Sequence, residues 1–549
     1  MAEAEYYFIG VDVGTGSVRA ALVNINGKIL AVKVKPIKTW NPKPDFYQQS
    51  SEDIWQSCCE VIKEVKKSVP KDKIKGIGFD ATCSLVAVDG AGSSVSVSPD
   101  GNAEQNIILW MDHRAEKQAN FINSLGHNIL RNVGGKISLE MELPKLMWLK
   151  ENLNSQCWKK TEKFFDLPDF LTWKATGCDT RSLCSVTCKW LYEVNSDGQG
   201  GWNKNFLERI DLAELADNNF IKIGSVIKQP GEPCGTGLKA DIARVLDLLE
   251  GTAVATSIID AHAGGLGLIG CHAASISQSI TSRLPLVCGT STCHMAVSKE
   301  AVFVNGVWGP YWSAMVPGLW LNEAGQSASG CLLDHIISTH PASSKIKLEE
   351  GQHIVGYLNT LLKKIASRNG KLVDVLTKDI HVLPDFHGNR SPLADPTMKG
   401  MICGLSLSTD EEQLAILYLA TVQALAYGTK HIMEKMVEEG HETFSSVLVC
   451  GGLSKNPLFV KTQANVSLMP VLVPHEAESV LLGAAILGAT ASGIYDSVLS
   501  AISSMAGKAE VISPEDTLQR YHEMKYKVFR KLLDDQLSYR KIMSGVETC

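Results

Sequence analysis

Asp12 closes the apolar run 8–11 and is followed at once by the small-residue turn Gly14-Thr15-Gly16-Ser17. A second apolar run, 20–23, leaves that turn and doubles back through Asn26-Gly27, the strongest short signal for a hairpin. The first turn combines a carboxylate, the Thr15 hydroxyl and glycines that let a ligand approach the main chain closely. Such a turn can cradle phosphate oxygens, and Asp12 is a hard oxygen donor suited to the Mg²⁺ that travels with a nucleotide. A glycine-rich hairpin with no ligand is the other reading of the same residues. Two phosphate motifs are excluded: the stretch is not GxxxxGK[ST], and a chain leaving the turn as a strand puts a GxGxxG in the wrong context.

The design returns half a chain later. LVCGTSTCHMAV at 286–297 repeats IGVDVGTGSVRAAL at 9–22: apolar strand, glycine–threonine turn, apolar strand, with Gly289 and Thr290 in the places of Gly14 and Thr15. Two such hairpins suggest two related domains clamping a nucleotide in a cleft. A third element, VLVCGGLSKNPLF at 447–459, sets Gly451 and Gly452 at a strand end and runs through Asn456 into a helix start. Bare backbone there could admit a flat base, with helix donors nearby. Between the hairpins, SIIDAHAGGLGLIG at 257–270 ends a strand on Asp260 before a glycine-rich helix. Asp260 suits either a helix cap or a general base.

In this order the trio is similar to the phosphate 1, phosphate 2 and adenosine motifs of the actin, hexokinase and Hsp70 ATPase superfamily. Within it the chain resembles the FGGY carbohydrate kinases: MELPKLMWLKEN at 141–152 resembles the first family signature, and 399–432, with Gly400, Gly404, Leu405 and Ala426, the second. The resemblance covers about residues 6–495. GFDATCSLV (78–86), LWMDHRA (109–115), CKWLY (188–192), IDAHAGGLG (259–267) and NEAGQSASG (322–330) are similar to the ribulokinases rather than the glycerol kinases.

The resemblance implies an α/β fold of two actin-like (ribonuclease H-like) ATPase domains. These would be an N-terminal sugar-binding domain at 1–270 and a C-terminal ATP-binding domain at 271–549 carrying a helical extension. It implies ATP-dependent phosphorylation of a ketopentose, D-ribulose first, with xylulose, L-ribulose or ribitol as alternatives. A non-kinase actin- or Hsp70-like ATPase and a kinase-dead scaffold are the readings from other classes. Asp260 is the expected base and a possible metal contact, and Asp12 the Mg²⁺ ligand, directly or through water. Ala81, Lys189, Asp260, Glu323 and Asp80 are expected at the sugar; Gly14, Thr15, Gly289, Thr290, Gly451, Gly452 and Asn456 at the nucleotide. Asp112 and Arg114 could line the site or form a surface ion-pair cluster. ATP and Mg²⁺ are the expected co-substrate and cofactor.

The elements that must position these residues alternate strand and helix, which indicates α/β. A helix is expected from Ser51 or Glu52 to Lys67, a strand over 74–79, a strand then helix over 107–125, and a helix start at Pro144. A long helix should cover 410–438 and a strand 446–450; residues 176–235 read as a poorly periodic elaboration. The apolar stretch 480–494 falls short of the ~18 residues a membrane span needs and reads as a buried helix. The tail after Ile512 reads as a surface helix. At 549 residues the chain exceeds one core. A net charge of −6 argues against nucleic-acid or anionic-membrane surfaces. Fifteen cysteines and an N-terminus without a signal-peptide layout suggest reduced thiols in the cytoplasm, leaving the sequon at Asn465 without meaning. Cys184-x₃-Cys188 with Cys178 nearby lacks the second pair a zinc site needs, and His262, His294 and His387 read as structural. A sugar and ATP are the expected partners, with a homodimer as the oligomer considered.

Overall fold

The computed structural model describes residues 5–195 and 197–545. The chain opens with β1 (Tyr7–Val13), β2 (Ser17–Asn24) and β3 (Ile29–Pro36), then α1 (Ser51–Lys66) and β4 (Ile74–Ala81). There follow α2 (Glu142–Asn152), α3 (Leu167–Thr176), α4 (Leu183–Trp190), the short β5 (Ala253–Val254) and β6 (Ile258–Ile259), and α5 (Asp260–Ile269). The second half supplies β7 (Arg283–Cys288), β8 (Thr292–Ser298), β9 (Trp320–Gln326), α6 (Gly330–Thr339), α7 (Glu411–Glu438), β10 (Ser446–Cys450), α8 (Pro457–Ser467) and β11 (Val471–Pro474). The chain ends with α9 (Ser479–Ala491), β12 (Ala509–Ile512) and α10 (Gln519–Ser544).

Two compact units result. The first takes residues up to His272 together with Ala296–Asn322 and Glu476–Lys508; the second takes Ala273–Met295, Glu323–His475 and the residues from Ala509 on. In the first unit the strand order is β3-β2-β1-β4, with β5 and β6 both pairing β4. β1 and β2 are antiparallel, while β4, β5 and β6 run parallel to β1. The second sheet contains the order β9-β8-β7-β10-β11-β12, with β7–β8 antiparallel and β7–β10–β11 parallel. The echo in sequence is therefore an echo in topology. Every residue of β1 is buried, the continuous apolar run expected of a strand covered on both faces.

One of those covers is α9. SVLLGAAILGATA is apolar all round and almost wholly buried, and such a helix must be packed on every side. It lies so close to the strands that a Cβ at Gly10 would run into the Leu481 carbonyl, one at Gly76 into that of Gly488, and one at Gly78 into that of Ala484. Gly483 is closed in the same way by Ala263, and Gly267 by Ser479. Interlocked glycines thus fix α5 and α9 against each other and α9 against β1 and β4.

Several local expectations need correction. The N-cap of α1 is Ser50, whose side chain accepts from the Asp53 N–H at 3.3 Å, and β4 runs on through Asp80 and Ala81. Of the strand expected from residue 107, only Ile107–Ile108 forms; the helix begins at Glu116. The poorly periodic stretch contains α4, a helix with all eight residues buried. Short buried helices rich in Cys, Ser and Thr have no polar face and so no 3.6-residue signature. The tail is more than a surface helix. Tyr526, Phe529, Leu532 and Leu533 of α10 join a core cluster with Leu383, Met398, Tyr427 and Val466, while its other face, from Gln519 and Met524 onward, is exposed.

Candidate active site

Three adjacent parallel strands of the first unit end on carboxylates. Asp12 of β1 pairs in register with Asp80 of β4; Ile258 and Ile259 of β6 pair with Asp80 and Ala81, so Asp260 follows at the same edge. Ligands of open α/β sheets bind outside the carboxyl ends of strands. Asp12 is buried and accepts from Arg19 Nε at 2.7 Å, while Arg19 Nη1 donates to Glu478 Oε2 at 2.7 Å. The second pair spans 459 residues of sequence. Asp80 is fully buried and faces Asp12 across the strand pair. Burial above all, then the Asp12 charge and a hydrogen bond shared with Asp12, then the Asp260 charge, pushes its carboxyl well above the usual carboxylate range. Carboxyl groups crowded together in a buried place are costly, and these three make the donor set a hard divalent cation takes.

Asp260 is the first helical residue of α5, and the preceding Ile259 occupies the cap position. Its Oδ1 accepts from the Ala261 N–H at 2.7 Å, which fixes the orientation of the carboxylate. Ala81, fully buried, ends β4 beside it. Lys189, expected on an irregular insertion, stands instead near the end of α4 at 2% exposure, with its ammonium 4.3 Å from the centre of the Trp308 ring. The first signature lies beneath. Glu142 and Lys145 of α2 approach to 3.3 Å, both fully buried, and Asp166 accepts from Trp190 Nε1 at 3.1 Å. Burial pushes Glu142 up to about 8, Lys145 drawing it back only in part; Asp166 rises to about 6 for the same reason.

Asp112 and Arg114 form neither a surface cluster nor part of this carboxylate edge. Arg114 Nε and Nη2 grip the two Asp112 oxygens at 2.8 and 2.7 Å, both side chains are closed off from solvent, and the guanidinium stacks on Phe46 and Trp148. The pair is a buried structural clamp.

The first hairpin turn is closed by Gly14 N–H donating to Ser17 O at 3.0 Å, so that N–H is committed to the turn. Thr15 Oγ1 accepts from Trp110 Nε1 at 3.0 Å, and the Thr15 carbonyl from Gln49 Nε2 at 2.8 Å. In the second unit Gly289 N–H donates to Ser291 O at 2.8 Å. The carbonyls of Gly289 and Thr290 receive the N–H groups of Gly330 and Ser329, at 3.1 and 2.9 Å, at the start of α6. Gly289 and Thr290 are themselves exposed. Glu323 of β9 accepts from Arg390 Nη2 at 2.5 Å. At the end of β10, Gly451 has φ +88° and a Cβ there would meet the Cys288 carbonyl, whereas a Cβ at Gly452 meets nothing within 4 Å. Asn456 caps α8 by accepting from the Leu458 N–H, receives Asn359 Nδ2 at 2.9 Å and donates to the Tyr418 hydroxyl at 2.7 Å. Its amide holds the turn together.

Arg19, Glu478 and Arg390 went unmarked in the sequence. Arg19 was within reach of inference, because it faces Asp12 across the β1–β2 register; the other two come from distant segments and leave no local signal.

Comparison with known proteins agrees on both halves. Models of the N-terminal and C-terminal domains of the FGGY family of carbohydrate kinases match residues 7–267 and 284–492. The chain is 51% identical over 548 residues to the human FGGY carbohydrate kinase domain-containing protein, covering 98% of each. It is 40% identical over 526 residues to D-ribulokinase of Saccharomyces cerevisiae, 90% of this chain and 73% of the other. The fold superposes on ligand-bound xylulose kinase from Lactobacillus acidophilus with TM-score 0.78 at 18% identity, covering 98% of this chain and all of that one.

Proposed function

We propose that this chain, which belongs to the FGGY family of carbohydrate kinases and is a phosphotransferase with an alcohol group as acceptor, phosphorylates a ketopentose, D-ribulose in first place. The single observation that carries this reading is the carboxylate edge of the first unit. Asp260, held by the Ala261 N–H, stands at the strand ends beside Asp80 and Asp12. The likeness to the yeast D-ribulokinase favours ribulose over xylulose, L-ribulose or ribitol. The non-kinase ATPase reading gives way to the family assignment.

Phosphoryl transfer is mostly positioning and charge neutralisation. Asp260 accepts the proton of the attacking sugar hydroxyl, which requires hydrogen-bond reach and no covalent intermediate. Lys189, with its ammonium held on the Trp308 ring, donates to sugar hydroxyls; Glu323, oriented by Arg390, accepts from them; Ala81 shapes the floor. ATP is the co-substrate of FGGY kinases. Thr15 and Thr290 offer hydroxyls to its phosphates, and Gly452 offers bare backbone to its base. Asp12 and Asp80 would hold Mg²⁺, with Asp260 near, and the crowding of these buried carboxyl groups fits that role. When bound, the ion neutralises phosphate charge. Arg19 holds the Asp12 carboxylate in place.

A panel of ketopentoses and polyols with Mg-ATP tests the reading. Sugar-dependent ADP release, highest with D-ribulose, is expected; release indifferent to every sugar would overturn it.

A further inference from the structure

The helix that starts on Asp260 and the helix that carries Lys189 meet in a cluster that the kinase chemistry leaves unused. Cys184 and Cys188 stand one turn apart on α4 and therefore share a face, and His262 is on the first turn of α5. Cys184 Sγ lies 2.9 Å from His262 Nδ1. One ligand atom from each of the three residues falls within 4.8 Å of the others, and all three side chains are fully buried. In sequence Cys184 and Cys188, with Cys178 nearby, lacked a second ligand pair and His262 read as structural; folding brings its imidazole to Cys184 across 78 residues.

We propose that Cys184, Cys188 and His262 bind a thiophilic d¹⁰ cation of the zinc or cuprous class. With metal–sulfur bonds of about 2.3 Å and metal–nitrogen bonds of about 2.0 Å, ligand atoms around such an ion stand roughly 3.5–4 Å apart. The observed spacing brackets that range, so closure needs only side-chain adjustment. Two soft sulfurs and an imidazole select zinc or cuprous ions over magnesium or calcium. Three ligands suit a trigonal cuprous ion, or a zinc ion with one further ligand. Each thiol that binds exchanges its S–H bond for an S–metal bond and releases its proton to solvent; nothing is oxidised or reduced. Burial holds the Cys184 thiol well above its ordinary range, so uptake is expected to release protons and to weaken in acid.

Cys188 directly precedes Lys189 and His262 lies two residues after Asp260, so a bound ion would pin the two helices together under the sugar site. That link rests on the function proposed above; the binding itself does not, and is measured without sugar or nucleotide. The metal-free protein is titrated with Zn²⁺ against a chromophoric chelator, and anaerobically with Cu⁺ against a cuprous chelator. X-ray absorption is then recorded on the tighter complex of the unmodified protein. One equivalent bound through two sulfurs and one imidazole nitrogen is expected, together with at least 100-fold weaker binding in the Cys184→Ser/Cys188→Ser variant. Absence of a stoichiometric site, an absorption spectrum without sulfur ligands, or undiminished binding in the double variant would overturn the proposal. The spectrum of the unmodified protein decides the matter even if the variant does not fold.

Discussion

In the first unit the glycine hairpin is flanked by Asp12 and Arg19, and the strand ends beside it bring Asp80 and Asp260. In the second unit the corresponding hairpin is flanked by Cys288, Thr292 and Cys293, and the strand beside it ends on Gly451 and Gly452. The hairpin strands run antiparallel and the strands beyond them parallel in both units; the residues at their ends differ. The repeated frame supplies turns and strand ends, and each copy equips them differently. One has carboxylates able to move a proton and hold a cation, the other hydroxyls and bare backbone able to pass a nucleotide. The buried titratable groups differ in the same way. The first unit buries acids that burial pushes up, Glu142 to about 8 and Asp169 to about 7; the second buries histidines that burial pushes down, His294 to about 3 and His431 and His441 to about 4, beside one such acid, Asp385, at about 6.

The sharpest way to break that contrast is at the proposed proton acceptor. Asp260→Asn keeps the shape and the acceptor oxygen for Ala261 N–H but removes the base. Turnover is expected to fall by about 10³-fold, within the range for general-base removal, with nucleotide affinity retained. Thr290→Ala, on the exposed turn of the second unit, should cost far less and show in the KM for ATP. Near-normal turnover of Asp260→Asn in steady-state assays would refute the base assignment.

The next largest effect tests the frame. Gly483→Val drives a side chain into the Ala263 carbonyl, main chain that cannot turn aside. Overpacking of this kind costs about 3 kcal/mol, and urea midpoints should drop accordingly. A midpoint unchanged from the parent would show that α9 is less tightly seated than its glycines imply.

The buried acids and histidines give opposite pH signs. Glu142 ionises near 4.5 when unfolded and near 8 when folded. Between those values the unfolded chain binds fewer protons, so its contribution to stability falls as pH rises, by at most about 1.4 kcal/mol per pH unit. Glu142→Gln should therefore gain relative to the parent from pH 5 to 8 in denaturation midpoints. His441 ionises near 6.5 unfolded and near 4 folded; its contribution is complete above 6.5 and is lost as pH falls towards 4. His441→Gln should narrow the acid sensitivity and leave the alkaline side alone. Parallel curves for parent and variants would erase the contrast between the units.

What the sequence disclosed follows from what is local. Both hairpins, the strand ends at Asp12, Asp260 and Gly451, and the buried apolar helix of residues 479–491 were legible because turn residues and apolar runs act within a few positions. Hidden features depend on pairing across the chain. Asp80 gains its character only when β1 and β6 flank it, Arg19 meets Glu478 across 459 residues, and α9 returns to the first unit through glycine contacts that no periodicity records. Lys189 looked like a solvated charge because α4 has no polar face to betray a helix.

The smallest expected effect on stability is the most informative about the second unit. Gly451 and Gly452 look equivalent in sequence and are opposite in the structure. At φ +88°, with the Cys288 carbonyl against its Cβ position, Gly451 tolerates no side chain, so loss of activity in Gly451→Ala would report only a broken turn. Gly452 faces open space, and Gly452→Leu should leave the unfolding free energy within about 0.5 kcal/mol of the parent, as surface substitutions do. If bare backbone at Gly452 receives the nucleotide base, the same substitution raises the KM for ATP several-fold while the KM for the sugar stands still. A raised ATP KM at unchanged stability places the nucleotide on the copy of the frame that lacks the carboxylate edge; an unchanged one sends it elsewhere and dissolves the division of labour between the two copies.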